Sequence, residues 1–122
     1  MENVSFKPSL REAFDAVSQL QGRQILVVKI ENCDSCEALC SDLPLIVSSS
    51  GSDGAIIGRL NIESTLDVHV MGKLILTEVP AVYALLDGNI VGGWFGYDYD
   101  QKPEIRIGAL AKLVMGKYQT LC

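Results

Sequence analysis

Apolar residues recur along this chain with two different periods. Leu10, Ala13, Phe14, Val17 and Leu20 fall on one face at a spacing of 3.6, which predicts an amphipathic helix. Ser9 stands at its N-cap, Glu12 completes a capping box, Pro8 lies just outside and Gly22 marks the end. Residues 24–30 carry an unbroken apolar run from Ile25 to Val28, rich in β-branched residues, so they predict a strand covered on both faces. From Asp34 the helical period returns, with Cys36, Leu39, Cys40 and Leu43 on one stripe. Pro44 is expected to kink or end that helix, because it lacks the donor a helix interior needs. The Ser- and Gly-rich segment 48–54 reads as a loop. Residues 55–62 predict a second buried strand and 66–73 a short helix. Residues 80–86 and 89–95 form two strands joined by the turn signal Asp87-Gly88. Pro103 and Glu104 open a last helix carrying Ile105, Leu110, Leu113 and Val114. The order is helix, strand, helix, strand, helix, hairpin, helix. Strand–helix–strand alternation implies a parallel sheet and the hairpin adds an antiparallel edge. The expected fold class is α/β, three-layered, with a mixed central sheet and helices on both faces.

Size and charge narrow the picture. At 122 residues the chain is expected to be one domain over 1–122, able to bury a core without staples. Net charge is −5 and no basic run exists, so a nucleic-acid partner is not expected. The apolar runs, such as 79–86, fall far short of the ~20 residues of a membrane span. Met1-Glu2-Asn3 carries no signal-peptide character, and the expected location is cytoplasmic.

Four cysteines remain: Cys33, Cys36, Cys40 and Cys122. Three lie within eight residues, which is a poor arrangement for closing loops and a good one for chemistry. Cys33-Asp34-Ser35-Cys36 sits where a buried strand hands over to a helix. A helix N-terminus offers unpaired N–H groups and about half a positive charge, so a thiolate at Cys33 is favoured there. A pKa lowered from ~8.5 to about 7 would raise the thiolate fraction at pH 7 from roughly 3% to about half. Cys36, one turn further in, keeps its proton longer. This division suits two-step exchange, in which Cys33 attacks a disulfide and Cys36 resolves the mixed disulfide. Asp34 opposes the Cys33 thiolate by like charge and leans the couple toward reduction. Other readings stay open. Cys33 and Cys36 could be half of a zinc site, with only Cys40, His69 and Cys122 left as further ligands. The C-x2-C-x3-C run could hold an iron–sulfur cluster, or the pair could be inert packing. Cys40 reads as a buried thiol, Cys122 as a tail thiol and His69 as a helical surface residue. Glu2, Asp98, Asp100 and Glu104 read as a solvated acidic surface.

Three stretches resemble the thioredoxin family, covering residues 6–121. They are the strand–Cys33-Asp34-Ser35-Cys36–helix junction, the segment Gly58-Arg59-Leu60-Asn61-Ile62-Glu63, and Glu78-Val79-Pro80-Ala81-Val82 followed by Asp87-Gly88 and Gly96. The resemblance implies a thioredoxin-like fold and thiol–disulfide exchange through Cys33 and Cys36, without a cofactor or metal. It also implies that Pro80 is cis and faces the cysteines, and that Val79 pairs its backbone with an extended client segment. Asn32 and Gly96 then border the client, with Trp94 or Tyr97 on an apolar rim. The partners implied are proteins carrying disulfides, and a reductase or small thiol as electron source. The departures are specific. Asn32 replaces the usual tryptophan, Asp34-Ser35 replaces Gly-Pro, and Val27 stands where a buried aspartate usually assists the second cysteine. Lys29 and Glu31 are the charged candidates for that duty. Val27 and Asn32 favour a rival reading, a redox-inactive thioredoxin-like interaction or assembly module.

Overall fold

The computed structural model describes residues 3–119. Five strands and four helices alternate along it. They are β1 (Val4–Lys7), α1 (Leu10–Ser18), β2 (Arg23–Lys29), α2 (Asp34–Ser50), β3 (Gly54–Arg59), α3 (Thr65–Leu74), β4 (Ala81–Leu86), β5 (Asn89–Phe95) and α4 (Pro103–Gln119). The strands form one sheet in the order β1-β3-β2-β4-β5. β1 and β2 run parallel to β3, whereas β4 runs antiparallel to β2 and to β5. This is the expected mixed sheet with helices on both faces.

The two faces follow from the period of two along each strand. Ile25 and Val27 of β2, Ala55 and Ile57 of β3, and Val82 and Ala84 of β4 meet Leu39, Leu43 and Ile46 of α2 and Leu110, Val114 and Tyr118 of α4. The alternate residues Leu26, Val28, Ile56, Tyr83 and Leu85 meet Leu10, Ala13 and Val17 of α1 and Val70 and Leu74 of α3. Ile25 through Val28 are all fully buried. The unbroken apolar run therefore marked a central strand.

Several expectations need correction. β1 went unread, because four residues with Ser5 and Phe6 exposed carry too little pattern; it is held by parallel pairing of Val4 to Lys7 with Ala55 to Gly58. α1 stops at Ser18, so Leu20 lies beyond it and is exposed, and Gly22 sits in the following turn at φ 85°. Ser9 does cap α1, accepting from the Glu12 N–H at 3.1 Å. The return bond is side chain to side chain, with the Ser9 hydroxyl donating to the Glu12 carboxylate at 3.0 Å. β3 leaves the ladder at Arg59, three residues earlier than expected.

Pro44 does not end α2, which runs through it to Ser50 and absorbs part of the expected serine loop. An interior proline costs about 3 kcal/mol. Leu43, Ile46 and Val47 are all buried, and each contributes about 1.5–3 kcal/mol. Packing therefore outweighs the lost donor. The helix ends instead at Gly51, whose φ of 74° suits a residue without a side chain.

α3 is anchored by Asp67, 1% exposed. Its carboxylate accepts the Arg11 N–H at 2.8 Å and the Asn61 N–H at 3.0 Å, tying the start of α1 to the exit of β3. At Gly58 of β3, helix α1 approaches so closely that a Cβ would stand 2.6 Å from Ala13 Cβ and 3.1 Å from Leu10 Cα. Gly58→Ala is expected to destabilise the fold by about 1–3 kcal/mol, read as a lower urea midpoint at unchanged slope. An unchanged midpoint would show that α1 can move aside.

Candidate functional site

The cysteine turn is built where β2 leaves the sheet. Asn32 takes φ 57°, a left-handed conformation that asparagine tolerates better than most residues, and the chain turns from strand to helix there. Cys33 becomes the N-cap of α2, with extended backbone at φ −127° and ψ 106°. Its Sγ accepts the Cys36 N–H at 3.2 Å, doing for the first turn what a serine oxygen usually does. Its carbonyl accepts the Glu37 N–H at 3.0 Å. Cys33 and Cys36 form a disulfide, with Cα atoms 5.2 Å apart. Cys33 is half-buried and Cys36 is fully buried. The outer sulfur thus faces solvent and the inner one faces the core. Asp34 is exposed in the first turn of the helix.

Strand pairing brings the proline to the same end of the sheet. Val28 lies opposite Ala81, so Pro80 comes alongside Lys29, at the end of β2 from which the cysteine turn departs. The Val79–Pro80 peptide bond is cis. Gly96, at φ 81°, donates its N–H to the Pro80 carbonyl at 2.7 Å, so Pro80 and Gly96 are neighbours. Val79 is half-buried, and among the described residues its N–H and C=O have no partner. An open groove of about 200 Å³ beside it is lined by Ile30, Leu60, Ile62, Met71, Leu76 and Val79.

The remaining candidates sort by position. Trp94 and Tyr97 pack against the α2/α4 core rather than standing free on a rim. Tyr97 also donates its hydroxyl to Asp42 at 2.7 Å. Cys40 is half-buried against the same core. Burial raises its thiol pKa, Lys29 opposes the rise and Glu37 adds to it. His69 is exposed on α3, across the sheet from α2, beside Arg11, Asp15 and Lys73. Cys122 and Glu2 lie outside the described residues. Val27 is fully buried and apolar. The two charged candidates diverge: Lys29 pairs with Glu37 on α2 at 3.1 Å, whereas Glu31 pairs with Arg59 at 2.6 Å in exposed surroundings. Among the described residues no three His, Cys, Asp or Glu side chains are grouped to hold a metal ion.

Two features escaped the sequence. The Ser35 hydroxyl lies 3.5 Å from Cys33 Sγ and, with that sulfur in a disulfide, is the donor. A hydroxyl at the second residue of the helix was the available signal. The other is Asp42, 8% exposed, whose carboxylate accepts from Arg106 Nε and from the Tyr97 hydroxyl, each at 2.7 Å. Arg106 also donates to the carbonyls of Tyr99 and Gln101. Burial, then the Asp42 carboxylate, raises the Tyr97 phenol well above its ordinary range. An aspartate interrupting an apolar helix stripe was the signal here.

This architecture is that of the thioredoxins. Thioredoxin O2 from Arabidopsis thaliana, in the oxidised state, superimposes with a TM-score of 0.65 at 15% identity, over 94% of this chain and 97% of that one. The N21Q mutant thioredoxin from Halobacterium salinarum gives 0.65 at 16% identity, over 95% and 91%. Oxidised mitochondrial thioredoxin 3 from Saccharomyces cerevisiae gives 0.61 at 13% identity, over 94% and 96%. No protein-family model matches the chain, and no curated protein sequence does. The chain therefore has the thioredoxin fold, and at these identities the likeness speaks for the fold alone.

The Asp42 cluster ties α2 to α4 and to the segment 97–101. Asp42→Ala leaves the Arg106 guanidinium without its carboxylate and the Tyr97 hydroxyl without its acceptor. The expected outcome is a lower midpoint in chemical denaturation, with faster amide exchange across 97–102. Full stability in the variant would show that Arg106 finds another acceptor.

Proposed function

We propose that this chain is a thiol–disulfide oxidoreductase that acts on disulfides in partner proteins. The observation that carries the reading is the Cys33–Cys36 disulfide across the first turn of α2, its outer sulfur accessible and its inner one buried. In the reduced state the Cys33 thiolate attacks a client disulfide and one client sulfur leaves as thiolate. The Cys36 thiolate then attacks Cys33 Sγ, the mixed disulfide breaks, and the second client thiolate departs. Two electrons have passed to the client and the Cys33–Cys36 disulfide has formed. A reductase dithiol or a small thiol restores the dithiol.

Each neighbour has a part in this reading. The α2 N-terminus and the Cys36 N–H stabilise negative charge at Cys33, and the Ser35 hydroxyl adds a donor. Asp34 opposes that charge and leans the couple toward reduction. The unpartnered backbone of Val79, beside Pro80, receives an extended client segment as an added strand. Asn32 and Gly96 border that segment. No organic cofactor enters the scheme. One observation favours the rival reading of a redox-inactive interaction module, namely Val27, fully buried and uncharged where the family resemblance implies an assisting aspartate.

Insulin reduction by dithiothreitol separates the two readings. The wild type is expected to accelerate it, Cys33→Ser to lose at least 100-fold, and Cys36→Ser to accumulate a mixed disulfide visible by mass. Absence of turnover by the wild type would leave the interaction module. At pH 7, Asp34→Asn is expected to speed alkylation of reduced Cys33 by a few fold. An unchanged rate would remove Asp34 from the tuning role.

A further inference from the structure

We infer that Lys29 is a positioning residue for the resolving step, its ammonium group favouring the thiolate form of the buried Cys36 sulfur, with uncharged Val27 at the place where the family resemblance implies an assisting aspartate. The inference rests on the thiol–disulfide reading above. Its geometric basis is independent of any client. β2 side chains alternate between faces, and Val27 packs against α2 with Leu39 and Leu43. Lys29, two residues on, projects to the same side. Its Nζ lies 3.1 Å from Glu37 Oε2, in the turn of α2 that runs from Cys36 to Cys40. The Phe6 ring, its centroid 5.7 Å from Nζ, covers another side.

The ion pair does not cancel itself toward the interior. The Lys29 side chain is 17% exposed and the Glu37 side chain 63%, so water screens the carboxylate more than the ammonium. At Cys40 the Lys29 charge favours the thiolate more strongly than the Glu37 charge opposes it. Cys36 adjoins Glu37 on the same turn and is fully buried. Burial disfavours its thiolate and a nearby cation favours it.

The other charges around α2 do not take this role. Asp34 is exposed and of the wrong sign. Glu31 and Arg59 neutralise each other in the open. Asp42 is held by Arg106 nearly two turns further along. Glu78, ahead of Pro80, is exposed. In the resolving step the Cys36 proton passes to water, the thiolate attacks Cys33 Sγ, and the client sulfur leaves. Lys29 acts through its charge and touches no reacting atom.

The test reads Cys36 alone, in a Cys33→Ser, Cys40→Ala, Cys122→Ala background, by the pH dependence of iodoacetamide alkylation. Lys29→Met is expected to move the titration midpoint upward and slow alkylation at pH 7 about three- to tenfold. Lys29→Arg should match the parent. Glu37→Gln should move the midpoint downward and speed alkylation. The opposite signs separate a charge effect from loosened packing, which would expose the thiol in both variants. A Lys29→Met profile within twofold of the parent at every pH would overturn the inference, as would a Glu37→Gln profile shifted upward. If Lys29→Met fails to fold by circular dichroism, the direction of the Glu37→Gln shift decides. Because alkylation needs no turnover, an inactive wild type would remove the proposed function while leaving this result readable.

Discussion

The site depends on β2 being buried on both faces and paired on both edges. Ile25 to Val28 have no exposed surface, and the strand shares its backbone bonds with β3 and β4. A one-residue slip would exchange the two faces, moving Ile25 and Val27 from the α2/α4 core into the α1/α3 core and Leu26 and Val28 the other way. The register is therefore fixed, and so is the place where the chain leaves the sheet. That exit sets Asn32 in the turn and Cys33 at the head of α2. Pairing of Val28 with Ala81 brings the Val79–Pro80 segment to the same end.

Around that exit, charge is distributed asymmetrically. The outer sulfur sits at the positive end of a 17-residue helix, with exposed Asp34 beside it. The inner sulfur belongs to Cys36, which is fully buried, and a charge acts more strongly there than in open solvent. The ionisable side chain reaching that turn from the sheet is Lys29, braced by Glu37 and Phe6. The same helix carries a second polar anchor, Asp42, which holds Arg106 and Tyr97. α2 thus fixes both the cysteine turn at its start and the 97–101 segment beyond Gly96.

Most of the fold was legible because its signals are local and periodic. The 3.6 spacing located α1, the unbroken apolar run located β2, and Asp87-Gly88 located the hairpin. The misreadings share one cause. Pro44 breaks a local rule, yet Leu43, Ile46 and Val47 keep α2 helical through packing against the sheet. β1 has almost no pattern of its own and exists because β3 offers it an edge. The site divides in the same way. Cys33 and Cys36 were visible from their spacing and from the strand-to-helix junction. The separate fates of Lys29 and Glu31 were not, since strand alternation suggests a facing but not a partner.

By itself the sequence determined the α/β class, the order of eight of the nine elements, and the cysteine pair at a helix start. These follow from periodicity, turn chemistry and short-range spacing, which act between neighbours in the chain. The ninth element, the short β1, was settled by pairing across the sheet. Only the tertiary structure decided that Gly96 meets Pro80, that Val79 keeps its backbone unpaired, that Asp42 binds Arg106 and that Lys29 turns toward α2. Each of these joins residues distant in sequence or fixes the direction of a long side chain. Such contacts arise from burial and strand register, which no local pattern encodes.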